Sequence, residues 1–257
     1  MKPMNITFLL LLWTLPVVAQ TGTCGVQTGP FLPNLSVDRA TLTKSIFSSF
    51  EYFPYGTENC VDSIGYHEVV RFTSKVPNLG KADLFIGDPQ LCPSIYTCDP
   101  TTGRCKLKGS AAYRLWTPEG YSKWVKSRDL SLPITGTANE ELLIQAAING
   151  ELISGHKSQY CWIDYSCAGK KCNSDPVFYR CDNQGLSIGW ADEYRSSLNC
   201  QYIQVDNLLA GRYVLEVQVN PEQVLPESSY LDNSSAVGFQ FSPCTNKRFD
   251  PSDPCVR

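Results

Sequence analysis

The segment Tyr213-Val-Leu-Glu-Val-Gln-Val219 is the clearest indication of the fold of this chain. Its apolar residues alternate with Glu216 and Gln218, so an extended strand would carry one apolar face and one polar face. A helix repeats every 3.6 residues and does not fit this pattern. Further short runs rich in β-branched and aromatic residues also predict strands, at 68–76, 82–86, 112–116, 160–164, 201–206 and 237–241.

Turn-forming residues separate these runs, and no linker or repeat divides the chain. This organisation predicts an all-β fold, a single-domain β-sandwich with long disulfide-bonded loops, over 20–257. One short helix is expected as well. Thr137-Ala-Asn-Glu140 is a capping box, so a helix should run over 141–149 and stop at Gly150, with Leu142 and Ala146 facing inward.

The first 19 residues predict a secretory signal peptide. They contain Lys2, an apolar run over 6–15 and Val17-x-Ala19 as a small-residue cleavage site. The alternative, a membrane anchor, would need about 20 apolar residues. No later stretch is long and apolar enough to span a membrane, so the mature chain is expected to be secreted and extracellular.

Cysteine usage agrees with an oxidising compartment. The chain has 12 cysteines, an even number, which favours disulfides. Cys92, Cys98 and Cys105 form a loose cluster that could suggest zinc, but the chain has no CxxC pair. The triplets at Asn34 and Asn233 predict N-glycosylation.

Charge and histidine content exclude several functions. A net charge of -3 and a pI near 5.5 argue against nucleic-acid binding, which needs a basic surface. Only two histidines are present, too few for a histidine-rich metal site. His67 is predicted to be structural, and His156 beside Lys157 is a general-base candidate for which simple packing is the stronger alternative.

Two other groups of side chains have a functional and a structural interpretation. Glu227, Asp232 and Asn233 could bind calcium, or they could belong to a polar hairpin, which is the favoured alternative. Trp116, Tyr121 and Trp124 could form a contact patch for protein or sugar, and core packing explains them at least as well. The motifs of serine hydrolases, P-loop NTPases and dinucleotide-binding proteins are absent.

A series of short motifs, in order from Val69 to Phe241, resembles the catalytic domain of the lysyl oxidase family. The matching pieces are Val69-Val-Arg-Phe72, Asn78-Leu-Gly-Lys-Ala-Asp83, Gly155-His-Lys157, Cys161-x5-Cys167, Cys181 with Gln184-Gly-Leu-Ser187, Asp192-Glu-Tyr194, Asn199-Cys-Gln201, Gly211-Arg-Tyr213, and Val219-Asn-Pro221 with Pro226-Glu227. The resemblance implies a secreted copper amine oxidase that converts peptidyl lysine to an aldehyde. Its lysine tyrosylquinone would be made from Lys157 and Tyr194.

The same resemblance locates the copper ligands, and they are missing. The three histidines of the family's Cys-His-x-His-x-His motif fall on Thr102, Arg104 and Lys106. Arginine and lysine carry a positive charge and offer no lone pair at neutral pH, whereas copper prefers imidazole nitrogen. No copper or quinone cofactor is therefore expected.

The resemblance also implies a disulfide between Cys161 and Cys167. Cys200 matches half of another family pair whose partner position is Trp190, and Cys181 needs a new partner, for which Cys98 and Cys105 are candidates. We expect Cys92, Cys98 and Cys105 to form a rebuilt loop, stabilised by disulfides in place of a metal. The helix over 141–149 would be an addition to the family's shorter turn.

Two functions follow. The first is a catalytically degenerate, secreted lysyl oxidase-like protein that acts as an extracellular structural or binding protein, with an extracellular or cell-surface protein or glycan as its partner. The second is a copper-dependent protein-lysine 6-oxidase with an atypical copper site, in which Lys157 and Tyr194 form the quinone and His156 acts as a ligand or base.

Overall fold

The structure is a computed structural model that describes residue 24 and residues 29–54, 60–98, 105–158, 161–172 and 175–244. The signal peptide predicted over 1–19 lies outside these residues. The helices are α1 (Arg39–Ser45), α2 (Pro118–Ser127) and α3 (Ala138–Ile148). The strands are β1 (Phe47–Phe53), β2 (Gly65–Arg71), β3 (Ser74–Pro77), β4 (Leu84–Gly87), β5 (Tyr96–Cys98), β6 (Cys105–Leu107), β7 (Ala111–Trp116), β8 (Leu152–Ser158), β9 (Ser166–Cys167), β10 (Gln184–Leu186), β11 (Trp190–Tyr194), β12 (Tyr202–Gln204), β13 (Gly211–Val219) and β14 (Ser234–Phe241).

The segment that predicted the fold forms β13, inside a four-stranded antiparallel sheet of order β14-β13-β7-β8. Leu215, Val217 and Val219 are buried in the main core, as the alternation predicts. Glu216 and Gln218, on the other face, are buried as well. Both faces of this sheet are therefore covered.

Smaller antiparallel sheets close the main core on the apolar side. Their orders are β1-β2-β12, β3-β11-β9 and β4-β10. Val70, Val76, Ile86 and Ile203 from these strands join the core residues of the four-stranded sheet in one buried cluster. The predicted all-β, disulfide-bonded fold is confirmed.

Helices cover the opposite face of the four-stranded sheet. Trp116, Trp124, Ile134 and Ala146 form a second buried cluster there, with Leu142 packed against it. The predicted helix and its inward-facing residues are confirmed, but α1 and α2 were not predicted. Because Trp116 and Trp124 stack in this core, 5.7 Å apart and almost unexposed, the predicted contact patch on those tryptophans is wrong.

The strand predicted over 160–164 does not form within the described residues 161–164. Trp162 N donates to the side-chain Oε1 of Gln184 at 3.1 Å, and Ser187 N donates to the carboxylate of Asp164 at 2.7 Å. Side-chain acceptors thus replace part of a strand ladder. The strand predicted over 68–76 is divided between β2 and β3.

The predicted Cys161–Cys167 disulfide is wrong. Cys161 is bonded to Cys181, and Cys167 is bonded to Cys172. The hydrogen bonds of Gln184 to Trp162 N and Cys181 O bring the first pair together. Cys167 is instead held in β9, opposite Trp190.

The remaining described disulfides tie distant segments and the rebuilt loop. They are Cys24–Cys92, Cys60–Cys200 and Cys98–Cys105. Cys92, Cys98 and Cys105 are therefore all bonded, as the rebuilt-loop hypothesis requires. Neither Cys98 nor Cys105 is the partner of Cys181.

Candidate functional site

Tyr194 lies at the end of β11 and is 6% exposed. Its hydroxyl donates to Oδ2 of Asp192 at 2.5 Å and lies 3.4 Å from the carbonyl oxygen of Cys161. Successive residues of a strand point to opposite faces, so Asp192 and Tyr194, two residues apart, share one face. The strand itself therefore builds a buried phenol–carboxylate pair.

The environment of Asp192 favours its protonated form. The pKa of this carboxyl is raised to about 7, mainly by burial and in part by the charge of Asp164. Hydrogen bonds from Tyr194 and from the backbone of Glu193 and Ile163 oppose the shift. A carboxyl that titrates near neutral pH beside a phenol can exchange a proton with it, which is the chemical capability of this pair.

Packing around Tyr194 is dense. Ser74, Ser110, Trp162 and Val217 surround the ring, among other residues, with no space for a water-sized molecule. Trp162 is 1% exposed, and its indole nitrogen has no hydrogen-bond partner among the described residues. Tyr194 therefore lies in closely packed surroundings in the described structure.

Lys157 and His156 lie in β8, and their backbone positions follow from the register. Lys157 pairs with Ala112, and Ala112 pairs with Gln218. Ala111, which lies near Tyr194, is the residue of β7 next to Ala112, so the two residues face opposite sides of the sheet. The register position of Lys157 thus belongs to one face of the sheet, and Tyr194 packs against the other.

The segment assigned to copper by resemblance is a disulfide-closed hairpin. Cys98 and Cys105 pair across β5 and β6 and are bonded to each other. Thr102 and Arg104 lie outside the described residues, and the backbone of Lys106 pairs with Thr97 in this hairpin. Within the described part of the chain, no three His, Cys, Asp or Glu side chains are grouped as metal ligands.

The loop considered for calcium is held mainly by its own hydrogen bonds. Glu227 is buried, and its oxygens accept from Leu35 N at 2.6 Å and from the amides of Asn220 and Asn233 at 2.7 Å each. N–H donors around a carboxylate favour the polar-hairpin alternative. Oδ1 of Asp232 and Oδ1 of Asn233 are buried without a partner among the described residues, and calcium binding there stays a prediction.

Asn233 does not fit the predicted glycosylation. It is 2% exposed, and its Nδ2, the atom that would carry the sugar, donates to Val219 O and Glu227. A glycan on Asn233 would have to displace these hydrogen bonds, and glycosylation there stays a prediction that the folded structure does not favour. Glycosylation of the half-buried Asn34, whose Nδ2 donates to Asp232 at 2.7 Å, stays a prediction.

Sequence reasoning missed Asp192 as a partner of Tyr194. The Asp-x-Tyr spacing could have identified it, because residues i and i+2 of a strand share a face. It also missed the buried ion pairs of Glu216 with Arg114 and Arg128. Arg128 lies 88 residues before Glu216, so no local pattern indicates that pair.

Fold and site together define a disulfide-bonded β-sandwich with a buried tyrosine–carboxylate pair and a Gly-His-Lys strand. Comparison with known proteins agrees with the predicted resemblance. The Lysyl oxidase family matches residues 138–247. The chain is 35% identical over 96 residues to protein-lysine 6-oxidase of Gallus gallus, covering 35% of this chain and 21% of that protein. It is 27% identical over 187 residues to lysyl oxidase homolog 2A of Danio rerio, covering 68% of this chain and 20% of that protein.

Residues 138–247 of this chain are therefore similar to the lysyl oxidase family. The matched stretches span only part of the curated relatives, 21% of the Gallus gallus protein and 36% of its Sus scrofa counterpart. The family match contains Lys157 and Tyr194 and begins at residue 138, after the stretch assigned to copper.

Proposed function

We propose that this chain is a secreted, catalytically degenerate member of the lysyl oxidase family that binds an extracellular or cell-surface protein or glycan. The observation that carries the proposal is the donor set at the positions matched to copper. Thr102, Arg104 and Lys106 do not fit a copper ion, because two of the three are cationic.

The surroundings of the two quinone precursors support the same proposal. Tyr194 is packed and hydrogen-bonded to Asp192, on the face of the sheet opposite the register position of Lys157. No helix among the described residues is long and apolar enough to cross a bilayer, and the paired cysteines agree with an oxidising compartment.

The competing function is a copper-dependent protein-lysine 6-oxidase. It is favoured by the presence of both Lys157 and Tyr194 inside the family match, and by the titratable Asp192 beside the phenol. The copper would then need ligands other than those assigned by resemblance, with His156 as a candidate.

Peptide mass spectrometry with metal analysis of the same sample separates the two functions. The protein is produced by secretion in copper-supplemented medium, with Lys157→Arg and Tyr194→Phe as matched controls that cannot form the crosslink. We expect separate, unmodified Lys157 and Tyr194 peptides and no bound copper. A crosslinked peptide that is absent from both controls, with near-stoichiometric copper, would overturn the proposal.

A further inference from the structure

Residues 61–64, called the lid below, cover a small apolar cluster on the outer side of the β1-β2-β12 sheet. The cluster consists of Phe53, Val69 and Tyr202, with Cys60 and Val61 packed against it. The Cys60–Cys200 disulfide anchors one end of the lid. At the other end Gly65 has a φ of 141°, a backbone conformation that other residues rarely adopt.

His67 connects the lid to the sheet through both ring nitrogens. Nδ1 is 2.6 Å from Oδ2 of Asp206, and Nε2 is 2.9 Å from the carbonyl oxygen of Ser63 in the lid. The amide nitrogen of Gln204, a donor, also lies 3.1 Å from Nδ1, whereas Asp206 and the Ser63 carbonyl are both hydrogen-bond acceptors. A neutral imidazole has one N–H, whereas an imidazolium has two, so only protonated His67 can donate to both.

The charges around His67 are mainly negative. Asp206 is fixed by Glu68 N at 2.7 Å and by Gln204 Nε2 at 2.7 Å. The negative charge of Asp62, which lies in the lid, also favours the protonated form of His67. Glu51 pairs with His67 in the register of β1 and β2, and its own charge is held by Arg71.

The balance of these effects favours the imidazolium. Burial by itself lowers the pKa of His67, but the hydrogen bonds that its ring donates to Asp206 and to the Ser63 carbonyl, with the charges of Asp206 and Asp62, raise it above its usual value.

The arrangement is not a hydrolase triad, although Ser63 Oγ lies 3.4 Å from Nε2. A catalytic base would need a free lone pair on Nε2 to accept the serine proton. Here Nε2 faces the carbonyl oxygen of the same serine at a shorter distance, which calls for an N–H on that nitrogen.

We propose that His67 is a pH-dependent clasp, which holds the lid over the Phe53–Val69–Tyr202 cluster when its ring is protonated and releases it when the ring loses a proton. The clasp is closed at acidic pH and opens as the pH rises through the folded-state pKa of His67.

A second connection to the lid does not titrate in this way and provides the control. Asp62 N donates to Gln204 Oε1 at 2.9 Å, and Gln204 Nε2 donates to Asp62 Oδ2 at 3.0 Å. Asp62→Ala removes the side-chain half of this connection. Asp206→Asn keeps the shape of the His67 partner and an oxygen for Glu68 N, but removes the charge that favours the imidazolium.

Hydrogen exchange of the intact, disulfide-bonded protein tests the clasp between about pH 5.5 and about pH 8.5, with rates normalised to those of unstructured peptides. We expect protection of residues 61–66 to fall about tenfold over this range, the factor for losing one hydrogen bond to a charged group. Asp206→Asn places an NH2 group toward Nδ1, so the neutral ring keeps its N–H on Nε2 toward Ser63 and the pH dependence of the protection should be lost. Asp62→Ala should reduce protection at every pH and also lower the midpoint, because the charge of Asp62 favours the imidazolium. A lid with constant protection in the native protein, or an unchanged pH dependence in Asp206→Asn, would overturn the proposal.

Discussion

Glu216 is the most consequential buried charge in the described structure. It is 0% exposed, and its carboxylate accepts from Arg128 at 2.5 Å, Arg114 at 3.2 Å, and the indole nitrogens of Trp116 and Trp124 at 3.1 Å each. Burial by itself raises the pKa of Glu216, but Arg114 and Arg128 bring it below its ordinary value. The carboxylate connects α2 and the segment after it to the four-stranded sheet.

Glu216→Gln keeps the volume of this side chain and removes its charge. Two buried guanidinium groups lose their counter-charge, and one acceptor oxygen becomes an NH2 group that faces donors. Removing one partner of a buried ion pair costs about 3–5 kcal/mol, and with two arginines affected we expect the upper part of that range. Since a domain is stable by only about 5–15 kcal/mol, the variant should be close to unfolding.

Urea unfolding at neutral pH, followed by tryptophan fluorescence with disulfides intact, measures the effect. Glu119→Gln, at an exposed position of α2, is the control and should change the free energy of unfolding by less than about 0.5 kcal/mol. Replacing the charges together, by Glu216→Leu with Arg114→Met and Arg128→Leu, should recover only part of the loss, because no unpaired charge then remains but the indole N–H groups of Trp116 and Trp124 lose their acceptor. A loss of under about 1 kcal/mol in Glu216→Gln would refute this account of the network.

Three further results are expected. Asp192 and Glu227 have folded-state pKa values of about 7, raised by burial from 3.8 and 4.5, so the folded chain retains protons that the unfolded chain releases. The free energy of unfolding should therefore fall between about pH 5 and about pH 7, by about 1.4 kcal/mol per pH unit for each group, and Asp192→Asn should reduce that slope in a series of urea titrations. Asn233→Gln should leave the glycan mass of the secreted protein unchanged, since Nδ2 of Asn233 is buried; a lower mass would contradict the burial. Non-reducing peptide maps should show Cys161 linked to Cys181 and Cys167 linked to Cys172, and a Cys161–Cys167 peptide would contradict the structure.

Sequence patterns predicted the structure correctly where the deciding interactions lie within a single helix or strand. The alternation in 213–219 identified β13, and the capping box at Thr137 identified α3, where Thr137 Oγ1 accepts from Asn139 N and the carboxylate of Glu140 accepts from Gly136 N. The pattern over 160–164 misled, because the backbone of Trp162 bonds instead to the Gln184 side chain, which accepts from Trp162 N, and to Gly185 N, which donates to Trp162 O. The strand propensity of a segment contains no information about such partners from distant parts of the sequence.

The sequence by itself determined the strand content, the reliance on cysteine pairs, the similarity to the lysyl oxidase family, and the lack of histidine at the positions that this similarity matches to copper. Only the tertiary structure decided which cysteines meet, that Asn233 and both tryptophans of the supposed contact patch are buried, and that Asp192 is the partner of Tyr194. The physical reason is the range of the interactions. Strand alternation and helix capping act over a few residues, whereas disulfides, burial and ion pairs depend on which distant segments the fold brings into contact.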